Sequence, residues 1–349
     1  MIKNIKKKVM VAMSGGVDSS VAAALLKEKG YEVFGVTMNH YKGENDLETA
    51  HQVAQKLKIH WSVVDCTKEF RKMVIDYFCK EYLAGRTPNP CVVCNLKIKF
   101  GLLLEEAKSL GMNYFATGHY AINKFDQESK KFLLKRGADR SKDQSYFLYR
   151  LNQDILPYVL FPLGKLKKSQ SRELAKKYGF SNYKKEESQE ICFIRDNNYR
   201  KFLTQNIQDT IKPGKFIDKE GKILGEHQGI PFYTIGQRKG LGVCLNKPRY
   251  VIEINSHQNT ITLGDDEDLY KDKLLVKDLN FISSDKISYP IKVEVKIRYN
   301  SRESSAIISS YDKDKVLINF DKPQRAITPG QSAVFYQGDI VMGGGIIEK

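Results

Sequence analysis

Two sets of residues in this chain have the types and spacing to do chemistry. The first is Ser14-Gly15-Gly16-Val17-Asp18-Ser19-Ser20, between the short apolar run Val9 to Met13 and a helical stretch over Ser20 to Lys29 that Gly30 closes. Paired glycines permit a tight turn, and a helix that starts directly after it offers unpaired N–H groups and its positive dipole end to phosphate oxygens. The loop is an anion cradle. It is not GxGxxG, and it lacks the lysine of a Walker A loop. The second set is a pair of cysteines, Cys94 in Gly85-Arg86-Thr87-Pro88-Asn89-Pro90-Cys91-Val92-Val93-Cys94-Asn95 and Cys192 in Ser188-Gln189-Glu190-Ile191-Cys192-Phe193. Cys94 is expected on a rigid two-proline loop just before a helix over Leu96 to Leu110, whose positive end would lower a thiol pKa. Two thiols on separate loops suit delivery of sulfur as a persulfide and its release by thiolate attack.

The elements that must position these residues alternate in the first third of the chain. After the first strand and helix come an apolar run at Glu32 to Met38, a helical stretch near Leu47 to Leu57, a strand at Ile59 to Val64, a mostly helical region to Tyr82 and a strand at Tyr114 to Thr117. The rhythm predicts a doubly wound parallel sheet, an α/β domain covered on both faces. In such a sheet the nucleotide's base belongs where strand ends converge, near Met38 and Gly118. Tyr120 to Gly137 reads as a hairpin turning at Asp126 to Ser129, and Ser145 to Tyr178 as helical. Beyond about residue 205 a glycine-rich stretch predicts a small β-rich module over 206–270. The remainder, 271–349, reads as an all-β domain. There Val293, Val295, Ile297 and Tyr299 alternate with Lys292, Glu294, Lys296 and Arg298, a half-buried strand with a mainly basic outer face, and a small closed barrel fits best. The catalytic domain is placed at 1–205.

Composition sets outer limits. The chain has 349 residues, 41% hydrophobic and 28% charged with 10 prolines, which excludes wholesale disorder and collagen-like order. Its longest apolar run, Val21 to Leu26, is far short of the roughly 20 residues that span a bilayer, and its start passes into a strand without a cleavage site, so a cytoplasmic protein with no membrane partner is expected. A formal charge of +16, from 57 basic and 41 acidic residues, favours a polyanionic partner. Six cysteines are too sparse for a disulfide framework.

The phosphate loop resembles that of the ATP pyrophosphatases, enzymes that cleave ATP between its α and β phosphates and activate a carbonyl oxygen as the adenylate. Over its whole length the chain resembles the bacterial tRNA-specific 2-thiouridylases. The resemblance is carried by MSGGVDSSV, GRTPNPCVVCN, ATGHYA (116–121), KDQSYFLY (142–149), SQEICF, GEHQGIPFYTIGQRKGLG (225–242), KIRY (296–299) and TPGQSAVFY (328–336). It implies a tRNA sulfurtransferase that makes 2-thiouridine at the wobble position, in tRNAs for Lys, Glu and Gln, with ATP and Mg²⁺. It further implies that Ala12, Met13, Ser14, Gly15, Gly16, Val17, Asp18, Ser19, Met38 and Gly118 bind ATP, with Asp18 available to the metal. Cys192 would carry the persulfide, loaded by a cysteine desulfurase or sulfur-relay protein, and Cys94 would form a transient disulfide with it. Asn89, Pro90, Cys91, His119, Lys142, Asp143, Gln144, Arg298, Tyr299 and Gln331 would contact tRNA or its target base.

Cys91 leaves a second route open. It makes Cys91-Val92-Val93-Cys94 a CxxC pair, and with Cys192 three thiolates would suit a [4Fe–4S] cluster with one open iron. The persulfide route accounts for Cys94 and Cys192 without metal and is preferred. Cys66, Cys79 and Cys244 are read as structural or incidental thiols. Two rival functions share these features in part. A small-molecule ligase or amidotransferase on the same ATP-cleaving domain gives Cys94 and Cys192 no role, and a silent RNA-binding protein gives the intact phosphate loop none.

Overall fold

The computed structural model describes all residues except 1–5, 41–43, 187–190, 195, 197, 244–246, 283–287 and 349. Strands β1 (Lys8–Ala12), β2 (Glu32–Asn39), β3 (His60–Asp65), β4 (Tyr114–Ala116) and β7 (Val159–Leu160) form one parallel sheet in the order β3-β2-β1-β4-β7. Successive β1 side chains leave by opposite faces. Val9 and Val11 pack with helix α1 (Val17–Glu28), α2 (Glu44–Leu57) and α7 (Lys168–Lys177). Met10 packs into a second core beneath α4 (Asp76–Leu83) and α6 (Leu103–Ser109). The doubly wound architecture follows from that alternation. The strand order runs outward in both directions from β1, which puts the topological switch point, and with it the expected ligand crevice, at the carboxyl ends of β1 and β4.

Two expectations about this domain need correction. The helix expected over Leu96 to Leu110 starts earlier, as α5 (Pro90–Cys94), and continues through a π-helical stretch Asn95–Leu102 into α6. Asn89 caps it by accepting from the Val92 N–H, and Pro90 stands in the first turn, where its missing N–H costs nothing. The dipeptide that reads as loop is therefore a helix start, and Cys94 lies on a helix. The stretch Ser145 to Tyr178 is mostly not helical. It holds two short 3₁₀ turns, Ser145–Leu148 and Leu156–Tyr158, then β7, and α7 alone is a regular helix. Pro157, Pro162 and Gly164 interrupt the hydrogen-bond ladder that a continuous helix needs.

The hairpin forms as expected, β5 (Ala121–Asp126) against β6 (Lys131–Arg136). Helix α8 (Tyr199–Ile207) leads to a four-stranded sheet of β8 (Gly214–Ile217), β9 (Ile223–His227), β10 (Tyr250–Asn255) and β11 (Thr260–Gly264), packed around Phe216, Val251 and Leu263. The last strands are β12 (Tyr270–Phe281), β13 (Ile291–Lys296), β14 (Ser304–Asp312), β15 (Lys315–Arg325), β16 (Ser332–Gln337) and β17 (Ile340–Ile347). They pair in the order β12-β15-β14-β13-β16-β17, and β17 pairs back with β12, so the sheet closes into a barrel around Val293, Val295 and Ile297. The hairpin joins the outside of this barrel through Ile340 and Lys135. Among the described residues, no helix is long and apolar enough to cross a membrane.

Candidate active site

The loop after β1 turns sharply because Gly15 adopts φ +74°, and a Cβ there would stand 2.4 Å from the Asp46 carbonyl oxygen. Ser19 ties the turn from inside, its Oγ accepting from the Ser14 N–H at 3.0 Å and donating to the Gly16 carbonyl at 3.1 Å. From the other side Gly118 brings the end of β4 against the loop, where a Cβ would lie 2.8 Å from the Ser19 nitrogen. Between them opens a cleft of about 190 Å³. Ala12, Met13, Ser14, Asp18, Ser19, Met38 and Gly118 line it, as expected of nucleotide-binding residues. Gly15 and Gly16 stand in the turn itself and are not among the lining residues, and Val17 is buried and packs into the core. His119 and Gln144, expected to meet RNA, line the same cleft. The His119 ring is held 2.7 Å from Thr117 Oγ1, and burial together with nearby Lys99 pushes its pKa well down, so it is neutral.

Two lysines that sequence reasoning passed over belong to this site. Lys168, 8% exposed at the start of α7, donates to both oxygens of Asp18 at 2.8 and 2.7 Å, and the Tyr120 hydroxyl donates to Asp18 at 2.8 Å. The Asp18 carboxylate is thus neutralised by an ammonium. A magnesium ion wants free oxygen ligands, and Asp18 does not offer a free carboxylate. Lys99, on the π-helical turn after α5, lines the cleft beside His119. Neither lysine has a local sequence signature, since the fold alone brings them to the loop.

The cysteines lie on two separate segments. Cys91 is exposed and Cys94 buried on the same short helix, three residues apart and so on one side of it. Desolvation pushes the Cys91 thiol up to about 12, with the Cys192 and Cys94 thiols adding to the rise and Lys99 opposing it. Cys192 is exposed, and its sulfur lies 3.8 Å from His40 Nε2, just past the end of β2. Phe193 anchors it by packing edge-on against Phe70 and Phe78. Cys66 and Cys79 are buried, each pushed up to about 11 by desolvation, and serve as core residues. Ser188, Gln189, Glu190 and Cys244 lie outside the described residues. Among the described residues no group of three or more His, Cys, Asp or Glu side chains is arranged to hold a metal.

Several residues expected to contact tRNA make hydrogen bonds within the chain. Asp143, 6% exposed, accepts from the Gly137 and Ser145 N–H groups and the Ser145 hydroxyl, which makes it the organiser of a buried turn. Gln331 donates to the Thr87 and Pro88 carbonyls at 2.9 and 3.2 Å. With the Thr87 N–H donating to the Pro329 carbonyl and the Thr87 hydroxyl to Thr234, the loop before α5 is pinned to the barrel and to the middle module at once. Asn89 is a helix cap and Pro90 is buried. Arg298 donates to the Arg325 carbonyl at 2.7 Å and is half-buried. Tyr299 packs on Phe147 with the rings tilted and their centroids 4.5 Å apart, and Lys296 lies over its ring. Lys142 is half-buried beside Asp139.

Comparison with known proteins adds three domain matches and near full-length relatives. Residues 7–196 match the family described as tRNA methyl transferase HUP domain, 200–265 the tRNA methyl transferase PRC-barrel domain, and 271–347 the aminomethyltransferase beta-barrel domain. A tRNA-specific 2-thiouridylase MnmA of Acetivibrio thermocellus is 50% identical over 98% of this chain and 99% of its own length. Another, from Carboxydothermus hydrogenoformans, is 50% identical over 99% of this chain and 98% of its own. Among solved structures, a 4-thiouridine synthetase in complex with RNA and ATP overlaps 58% of this chain and 51% of its own at 19% identity and a TM-score of 0.37, too loose to bear on function.

Proposed function

This chain belongs to the family of tRNA-specific 2-thiouridylases, and from that premise we propose that it uses ATP to replace the C2 oxygen of a wobble uridine by sulfur, in tRNAs for Lys, Glu and Gln, in the cytoplasm. The observation that carries the reading is that the end of β2 joins the phosphate-loop cleft to a cysteine: Met38 lines the cleft, and its carbonyl lies 3.4 Å from the His40 ring that meets Cys192 Sγ at 3.8 Å. An ATP-dependent ligase needs only the cleft.

The C2 oxygen is a poor leaving group. It attacks the α-phosphorus of ATP, the bond to the β-phosphate breaks, and pyrophosphate departs from the α1 amides and the Ser14 and Ser19 hydroxyls. Magnesium, if bound, would supply charge neutralisation to the triphosphate, and Asp18, paired with Lys168, offers it no free carboxylate. Cys192 arrives bearing an outer sulfur from a persulfide-bearing donor protein. That sulfur adds to C2 and AMP leaves. The Cys94 thiolate then attacks the Cys192 sulfur, the inner S–S bond breaks, and its electron pair stays with the sulfur now on uridine. The two cysteines end oxidised as a disulfide, which an external thiol must reduce before the next turnover. In this reading Gln331, Asn89 and Asp143 position the loop and the turn that face the base.

Lys99 joins the two halves of the site. Its ammonium is placed to balance charge on the departing adenylate and on the attacking thiolate. Lys99→Met is expected to lower single-turnover thiolation by ~100-fold, the scale of one lost electrostatic group. ATP affinity should fall much less. Unchanged thiolation in that variant would remove Lys99 from the mechanism.

Pyrophosphate release, measured with and without tRNA, tests the reading. Release that requires a tRNA with a wobble uridine supports it. Release driven by a small-molecule acceptor in the absence of tRNA would favour the ligase, and no release at all the silent binding protein.

A further inference from the structure

We propose that His40 is a catalytic residue of the sulfur-loading step, the base that takes the proton from Cys192. Three observations combine. His40 Nε2 lies 3.8 Å from Cys192 Sγ, within reach of a thiol that donates. On the other side of the ring Nδ1 lies 3.4 Å from the Met38 carbonyl oxygen. A carbonyl only accepts, so Nδ1 carries the ring proton and Nε2 presents its lone pair to the thiol. The ring is also fixed in place: His40 is buried and packs on Phe70 with ring centroids 4.5 Å apart, and Phe70 in turn packs on Phe193, the neighbour of Cys192. A base oriented by a second group against a thiol is the arrangement that activates a nucleophilic cysteine.

The step balances as follows. Nε2 accepts the Cys192 proton as the thiolate attacks the outer sulfur of a protein persulfide. A new S–S bond forms on Cys192, the donor's S–S bond breaks, and its electron pair leaves with the donor thiolate, which takes the proton back from the imidazolium. Nothing is oxidised or reduced overall. Among the described residues, the Cys91 thiol feels Cys192, Cys94 and Lys99, and the Cys66 thiol feels Cys94, Glu69 and Asp65.

The inference rests on Cys192 as the sulfur carrier, but its readout is thiol reactivity, so it can fail while tRNA thiolation stands. The intact chain is treated with iodoacetamide across a pH series, and alkylation of Cys192 and of Cys91 is followed separately by peptide mass spectrometry. His40→Phe keeps the ring on Phe70 and removes both nitrogens, and His40→Gln keeps polarity without a base. Both variants are expected to slow Cys192 alkylation near neutral pH by about tenfold, as a one-unit rise in thiol pKa requires, with the curves converging at high pH. Cys91 should be unaffected, and loading of Cys192 by glutathione persulfide should slow in parallel. Equal Cys192 rates in wild type and both variants would overturn the proposal. So would an equal slowing of Cys91, because that reports disturbed packing rather than a lost base.

Discussion

Cys192→Ala and Cys94→Ala are each expected to lower 2-thiouridine formation by about 10³-fold or more, the scale of losing a nucleophile, while ATP affinity stays within a few fold. The separation is expected because neither sulfur lines the cleft at the phosphate loop, and both act after the uridine has been activated. The two variants should differ in where sulfur stops. Cys192→Ala accepts none from the donor. Cys94→Ala accepts sulfur onto Cys192 and stalls with uridine joined to the protein through the S–S bond, which gel electrophoresis without reductant reads as a tRNA–protein adduct. Cys94 is buried, so its alanine variant loses core contacts and about 1 kcal/mol of stability, too little to unfold the chain. Full sulfur incorporation by either variant would remove the two-thiol scheme.

Gly15→Ala is expected to weaken ATP binding at least about tenfold, because the phosphate cradle cannot keep its shape around a Cβ 2.4 Å from the Asp46 carbonyl oxygen. Gly111→Ala is the proper comparison. Gly111 has nearly the same backbone angle, φ +71° against +74°, but nothing lies within 4 Å of its added carbon. Both substitutions therefore carry the left-handed penalty of about 1 to 2 kcal/mol, and only the first collides with backbone. Thermal unfolding should fall in both, whereas ATP affinity measured by calorimetry should fall in Gly15→Ala alone. Similar ATP affinity in the two variants would show that the turn at Gly15 does not set the cradle.

What the sequence made legible follows from local chemistry. Alternating apolar runs and helices dictate a parallel sheet, and two glycines between strand and helix mark a phosphate loop whatever the rest of the chain does. In β13 the period-two pattern fixes which residues fill the barrel, and Val293, Val295 and Ile297 do so. Other features were illegible for equally physical reasons. Asn89-Pro90 reads as a turn, yet the same pair caps and opens a helix, and only the burial of Val92 and Cys94 decides between them. Strand β12, YKDKLLVKDLNF, is rich in charge and carries no clean alternation because much of it is exposed along the barrel's outer side. Closure of β12 on β17, and attachment of the β5–β6 hairpin, depend on pairings far apart in the chain. Lys99, Lys168 and His40 are single residues with no motif around them. Their roles exist only once topology sets Lys168 on Asp18, Lys99 beside His119 and His40 beside Cys192. Asp143 and Gln331 show the converse: both stand in recognisable motifs, yet their side chains are spent on the chain's own backbone.

The central claim is that ATP activates the C2 oxygen of a tRNA uridine for displacement by sulfur. The most direct measurement follows that oxygen. A wobble-uridine tRNA substrate labelled with ¹⁸O at C2 is converted by the purified chain with ATP and a persulfide donor, and the AMP and tRNA are analysed by mass spectrometry. One labelled oxygen in the AMP phosphate for each 2-thiouridine formed is the result this account predicts. Unlabelled AMP, with sulfur incorporated and the heavy oxygen found in water, would contradict it.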